Sequence, residues 1–293
     1  MPKSKFPKKE EEFEKWLVEE YFKYGSVNEV FRKYRYAIPI SYAGYQRVLD
    51  KWGIVKAAGP NNKLTEALEF LSYLAHENLP FDKIYKNIPP SFQTSAVTLY
   101  RILGYVKEGI TRRVGTALVI TPYNSREKVL IGRDISTPKI ELGKYYGSFS
   151  LPMGYSRKRD SRKTNILRVL QQELFTKKVL ERAFPEEVIP EDPVPFMYLD
   201  IADVRVSVYH IQLPKGLSTA TNFSSYKLKD YSFVDTDKII DNKLENLRAG
   251  VIETVITYKK YFEFLDRNLV VNPLQAKSLL NETLAVVTVD VEG

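Results

Sequence analysis

An internal repeat at an offset of 54 residues runs through the first hundred positions of the chain. It limits that part of the molecule to one small unit built twice. Ser41 pairs with Ser95, Arg47 with Arg101, Val48 with Ile102 and Leu49 with Leu103; upstream, Trp16-Leu17 pairs with Phe70-Leu71. Residues 26–49 and 80–103 align without a gap, and each then runs to a glycine, Gly53 or Gly104. The apolar spacing of Phe13, Trp16, Leu17 and Phe22 predicts an amphipathic helix over 10–24, matched by one over 64–77. A short second helix follows, starting near Ser26 as N-cap in the first copy and near Phe81 in the second. A third helix starts near Ser41 or Ser95 and ends at the glycine, which suits a left-handed C-cap.

A short helix, a turn and a serine-capped helix rich in Tyr, Gln and Arg resemble the helix-turn-helix of DNA-binding proteins. A capped N-terminus can meet phosphate, and the first turns can reach base edges. The expected DNA contacts are Ser41, Tyr42, Tyr45, Gln46, Arg47 and Lys51 in the first copy and Ser95, Thr98, Tyr100 and Arg101 in the second. Two linked copies would act through effective concentration. The formal net charge of +8 favours a polyanionic partner. A tri-helical unit is also a common fold with no obligatory ligand, so protein docking stays open.

There are no cysteines, which excludes disulfides and thiolate metal sites. The two histidines, His76 and His210, are expected to be packing or surface residues. No apolar run reaches the length of a membrane span, and the charged start MPKSKFPKKEEEFE lacks the core of a signal peptide. The expected location is the cytoplasm, with no membrane partner.

From Thr111 the pattern changes. Residues 113–122 (RVGTALVITP) and 128–133 (KVLIGR) read as strands around a turn at 123–127. Strands are also expected at 196–199 and at 204–213, where Val204, Val206, Val208 and His210 alternate, and a helix at about 243–265. Asp200 and Asp203 are read as turn caps between the last two strands. In the tail, 275–280 is expected to be a helix and 284–291 (LAVVTVDV) a strand that must find an edge, in its own sheet or in a homodimer.

Between these elements, Leu151 to Thr176 reads LPMGYSRKRDSRKTNILRVLQQELFT. This stretch resembles the Nudix box, G-x5-E-x7-R-E-U-x-E-E-x-G-U with U aliphatic. Gly154, Arg168, Leu170 and Glu173 match the pattern; Asp160 takes the first acidic place. Val169 and Gln172 stand where the family has glutamates, and Phe175 where it has glycine. The resemblance implies an α+β protein: an all-α tandem helix-turn-helix part, then an α/β/α Nudix-like sandwich with a mixed sheet. The expected boundaries are 1–58 and 59–110 for the helical units, 111–266 for the Nudix-like domain and 267–293 for an extension.

Nudix enzymes cleave a nucleoside diphosphate linked to another group, with Mg²⁺ held by glutamates of the box helix. A hard dication needs several oxygen ligands. Valine offers none and glutamine only a neutral carbonyl, so Glu173 and Asp160 remain as metal candidates, and Glu173 as the catalytic residue if the site is active. No cofactor is required by the sequence; Mg²⁺ would accompany activity. The loop has meanwhile become basic at Arg157, Lys158, Arg159, Arg162 and Lys163. Gly154, Arg157, Arg159, Arg162 and Arg168 are read as binding a nucleotide-type ligand, since arginine can grip phosphate bidentately; a solvated basic loop and a loop touching DNA backbone stay open. The residues favour a DNA-binding regulator with a non-hydrolytic Nudix-like sensor. The alternatives are an active divergent hydrolase and a non-enzymatic interaction protein. Some known repressors pair a Nudix-like sensor with a winged helix that follows it; here the helical part comes first.

Overall fold

The computed structural model describes residues 6–57, 104, 108–111, 113–139, 142–241, 243–269 and 272–285. The second helical copy, with Ser95, Thr98, Tyr100 and Arg101, lies outside them, as does His76.

The first copy folds as three helices. α1 (Glu10–Tyr24) begins on three glutamates, which suit the positive end of the helix dipole, and stops at Gly25 in the left-handed region (φ 75°). α2 (Val27–Lys33) and α3 (Tyr42–Lys51) start on Ser26 and Ser41, whose hydroxyls accept from the Glu29 and Gly44 amides at 3.2 and 3.0 Å. The connection between α2 and α3 spans residues 34–41, longer than the roughly three or four residues of a helix-turn-helix turn. Leu17, Tyr21, Phe31, Tyr45, Leu49 and Trp52 form the unit's core. Tyr45 is 0% exposed and donates its hydroxyl to the Leu17 carbonyl at 2.5 Å. Its expected DNA contact is therefore corrected: it is a core residue, placed inward by its spacing from Val48 and Leu49.

The remainder is built on two sheets. β1 (Arg113–Thr121), β4 (Met153–Ser156), β5 (Met197–Ile201), β6 (Val204–Gln212) and β8 (Leu274–Lys277) form a mixed five-stranded sheet in the order β4-β1-β6-β5-β8. β2 (Lys128–Asp134), β3 (Phe149–Ser150) and β7 (Leu228–Asp235) form a three-stranded sheet in the order β3-β2-β7. Alternation along β1 explains the layers. Ala117 and Val119 join a core with Val206, Val208, Val255 and Tyr258, against α7 (Val251–Asp266). Leu118 and Ile120 join a second core with Ile166, Leu170 and Leu174, against α4 (Arg162–Glu173). The result is the expected sandwich with helices on both sides. Short helices α5 (Thr176–Leu180) and α6 (Thr236–Ile240) complete the layers.

Three sequence expectations are corrected. The helix expected from 243 starts at Val251. Gly250 ends the preceding loop at φ 90°, and a Cβ there would come within 2.7 Å of Leu199 Cδ2 and Ile201 Cδ1. That turn carries the chain onto the sheet before a helix can begin. The tail is reversed relative to expectation: residues 274–277 form β8, parallel to β5, and 279–285 form α8 (Leu279–Ala285). The sheet edge is thus covered by a segment read as helical. Asn281 fixes this arrangement by donating to the Ala202 carbonyl at 3.0 Å and accepting from the Ala202 amide. Leu284, the start of the expected strand, lies in α8, and 286–291 lie outside the described residues. Finally, β7 occupies a stretch for which no strand was expected.

Asp203 and Asp200, expected as caps of the β5–β6 turn, hold arginine side chains there instead. Asp203 pairs with Arg113 across the sheet, both buried, and Asp200 holds Arg205 through Nε and Nη2 at 2.9 and 3.0 Å. His210 packs among Tyr258 and Phe262, and burial pushes its pKa down to about 4. It is a half-buried packing residue, as expected. No helix among the described residues is long and apolar enough to cross a membrane.

Candidate functional site

The box remnant lies where β4 hands over to α4. Gly154 sits on β4 opposite Thr116 of β1, and Ser161 caps α4 by accepting from the Thr164 amide at 3.1 Å. A Cβ on Gly154 would meet nothing within 4 Å, so the glycine is not required by packing there. It borders a cavity of about 820 Å³, within the usual range for small-molecule sites. One wall is the sheet; another is the α1–α2 corner of the helical unit, including Tyr24, Ser26 and Glu29.

The polar residues of α4 are engaged by the helical unit. After α3 the chain turns at Gly53 (φ 63°) and continues without regular secondary structure to Ala57, and this strap lies along α4. Gln171 accepts from the Val55 amide at 2.9 Å and donates to the Gly53 carbonyl at 2.8 Å. Gln172 donates to the Val55 carbonyl at 3.1 Å, and Arg168 donates from Nε to the Lys56 carbonyl at 2.9 Å. Arg157 reaches the Ala57 carbonyl at 3.2 Å, and the Ala57 amide donates to the Tyr21 hydroxyl at 2.6 Å. Side chains thus answer backbone groups that a sheet neighbour would otherwise satisfy. Apolar contact reinforces the seam: Val179, Leu180 and Phe184 join the helical core, and Arg182 stacks over Trp52 with its guanidinium 3.5 Å from the ring centroid.

The two metal candidates are both held by cations. Asp160 pairs with Arg168, which also donates to Asn165 Oδ1 at 2.6 Å. Glu173, nearly buried, receives Lys227 Nζ at 2.9 Å. The same ammonium donates to Gln172 Oε1 at 2.8 Å. Divalent magnesium asks for near-octahedral oxygen ligands. Here the helix offers one carboxylate already paired, one neutral amide already bonded at both ends and a valine. Among the described residues no group of three or more His, Cys, Asp or Glu could hold a metal ion. The residues therefore do not fit the family's metal.

Lys227 belongs to a wider set of cations. Lys144, 9% exposed, approaches Asp134 Oδ1 at 3.5 Å and donates to the Thr137 carbonyl at 2.9 Å. Arg248 approaches the other Asp134 oxygen at 3.7 Å. Burial, and then the neighbouring Arg248 charge, hold the Lys144 pKa below the usual lysine range.

Of the expected ligand residues, Gly154 and Arg168 line the cavity. Arg157, Arg159 and Arg162 are exposed and do not line it; Arg157 holds the strap, and Arg162 extends 3.5 Å from the Pro193 carbonyl. Besides Arg168, the cavity's cations are Lys23, Arg32, Lys139, Lys144, Lys227 and Arg248, in stretches without a recognisable motif. Gln171 was equally hidden, since it occupies a position the box leaves free. On α3, Ser41, Tyr42, Arg47 and Lys51 are exposed and Gln46 half-buried. Lys51 is held by Glu14 at 2.7 Å. Tyr42 and the exposed Tyr36 both stack near Phe31, with interplanar angles of 24° and 20°.

The sequence matches no protein-family model, and no curated protein matches it. Solved structures that it is similar to include the MutT protein from Methanosarcina mazei Go1, at 17% identity, covering 54% of this chain and 96% of that one, with a TM-score of 0.34. An ADP-ribose pyrophosphatase from Streptococcus suis is 15% identical, over 57% of this chain and all of that one, TM-score 0.36. The Nudix domain of Shewanella oneidensis NrtR, solved with ADP ribose, is 11% identical, over 63% of this chain and 99% of that one, TM-score 0.35. Identities at this level carry no activity or substrate to the present chain. In the part of the chain after Thr111 the box remnant joins a mixed sheet to its covering helix, and it is to solved Nudix structures that this part is similar.

Proposed function

We propose that this protein is a DNA-binding regulator whose Nudix-like domain binds a nucleotide-type metabolite without hydrolysing it. The observation that carries this reading is the use of the box helix. Its Arg168, Gln171 and Gln172 grip the strap that continues directly from α3. A ligand in the adjoining cavity would press on the same helix that positions α3, so one occupancy could bias the other through a shared element. Charge supports the DNA arm, and the exposed Tyr42 and Arg47 on a serine-capped helix supply its contacts.

Retardation of random genomic fragments at low salt tests this arm. Retention is expected, and Arg47→Ala should weaken it across sequences and reduce the salt slope by about one. Retention of no fragment would reject the regulator. Hydrolysis is tested separately with Mg²⁺ or Mn²⁺ and ADP-ribose, NAD and nucleoside triphosphates. Turnover is expected to stay at background. Turnover abolished by Glu173→Gln would instead establish the hydrolase reading.

A further inference from the structure

We infer that Lys227, seated between Gln172 and Glu173, takes the electrostatic place of the family's metal and forms, with Lys144 and Arg248, a divalent-cation-independent site for a diphosphate group. This rests on the reading that the cavity takes a phosphorylated ligand. A pyrophosphate enzyme uses its dication to neutralise phosphate charge beside acidic side chains. In this chain one helix glutamate position has become Val169, another Gln172, and an ammonium from outside the box has moved onto the pair that remains. Each change removes negative charge or adds positive charge at one point. Together they turn a cation-binding surface into an anion-binding one.

Two of the three ammonium donors of Lys227 are taken by Gln172 and Glu173, leaving one for a ligand in the cavity it lines. The seat fixes the side chain, so less rotamer freedom is lost on binding. Lys144, which donates to the Ser136 hydroxyl and the Thr137 carbonyl, and Arg248 lie 3.5 and 3.7 Å from the two oxygens of Asp134, and both add their charge to this side of the cavity. Lys144, Lys227 and Arg248 line the cavity beside the carboxylates of Asp134 and Glu173, and Lys139 adds a further cation. The excess positive charge is held in a partly desolvated place, where a phosphate oxygen gains more than it would in water. Lysine grips phosphate as a point charge, and the nearby Arg248 guanidinium, which touches Ser150 and Asp134, strengthens the local positive field.

Calorimetric titration of the full chain with inorganic pyrophosphate decides the matter. In EDTA, saturable binding is expected, and added Mg²⁺ should not tighten it. Lys227→Met should weaken binding about tenfold or more, and Lys227→Arg less. Lys215→Met, on an exposed turn away from the cavity, should bind as the parent does. Circular dichroism checks that the Lys227 variants are folded, and the parent's behaviour in EDTA decides the case if they are not. The inference is overturned by binding that requires Mg²⁺, by no saturable binding in EDTA, or by a folded Lys227→Met that binds as tightly as the parent. Those results leave DNA retention to be judged on its own. Pyrophosphate binding without DNA retention would sink the regulator and keep this site.

Discussion

Arg168→Met is expected to destabilise the chain by about 3 kcal/mol, because it removes one side of a nearly buried ion pair and two further hydrogen bonds. Arg168 is 3% exposed and joins three parts of the molecule: Asp160 in the box loop, Asn165 in its own helix and the Lys56 carbonyl of the strap. Methionine fills much of the volume but meets none of these groups. Asp160 keeps some solvent access, which places the expected cost at the lower end for a broken buried pair. Arg168→Lys should recover little, since an ammonium cannot span three separated acceptors with the planar fork of arginine. Urea unfolding measures the loss, and amide exchange at Ala57 should accelerate. A variant within about half a kcal/mol of the parent, the ordinary range for a neutral surface change, would show that the strap is held by other means.

Tyr45→Ala should cost about 3–5 kcal/mol, the range for truncating a large buried aromatic. Tyr45→Phe should cost only about 1 kcal/mol, for the hydroxyl bond to Leu17. The contrast separates ring packing from hydrogen bonding. Both tryptophans of the chain, Trp16 and Trp52, lie in the same helical unit and belong to or border its core. Their fluorescence therefore reports on this unit's unfolding. If Tyr45→Ala leaves the midpoint unchanged but abolishes DNA retention, the residue is a contact after all and the core assignment fails.

Features set by local chemistry are legible in this sequence. Ser26 and Ser41 announce helix starts because a hydroxyl before a periodic apolar run has an amide to accept from. The β1 alternation announces a sheet covered on both faces. Features set by distant partners are not legible. β7 carries Asp230 in the left-handed region and lacks clean alternation, so its period gives it away only once β2 is beside it. The stretch before Gly250 has helix-forming residues, yet contact with Phe149 keeps it out of a helix: the Phe149 amide donates to the Asn246 carbonyl, and the Arg248 amide to the Phe149 carbonyl. In the site, the losses at Val169 and Gln172 are plain from the box pattern. Their replacement by Lys227 is not, since nothing local ties residue 227 to residue 172. The basic loop drew attention to Arg157, Arg159 and Arg162, but exposure keeps charge cheap there, and the cations at the cavity are scattered along the chain.

The strap also bears on the order in which the molecule assembles. Its bonds to Arg168, Gln171 and Gln172 join residues 112 to 118 positions apart. Closing a flexible loop of that length costs about 4 kcal/mol, close to what four such bonds return at about 1 kcal/mol each. Those bonds alone leave docking near balance, and apolar contact at Val179, Leu180 and Phe184 must tip it. Such a contact forms late, after the partners have their own shapes, and is among the first to open. The seam between the helical unit and the box helix is therefore the natural place for this chain to breathe while both parts remain folded.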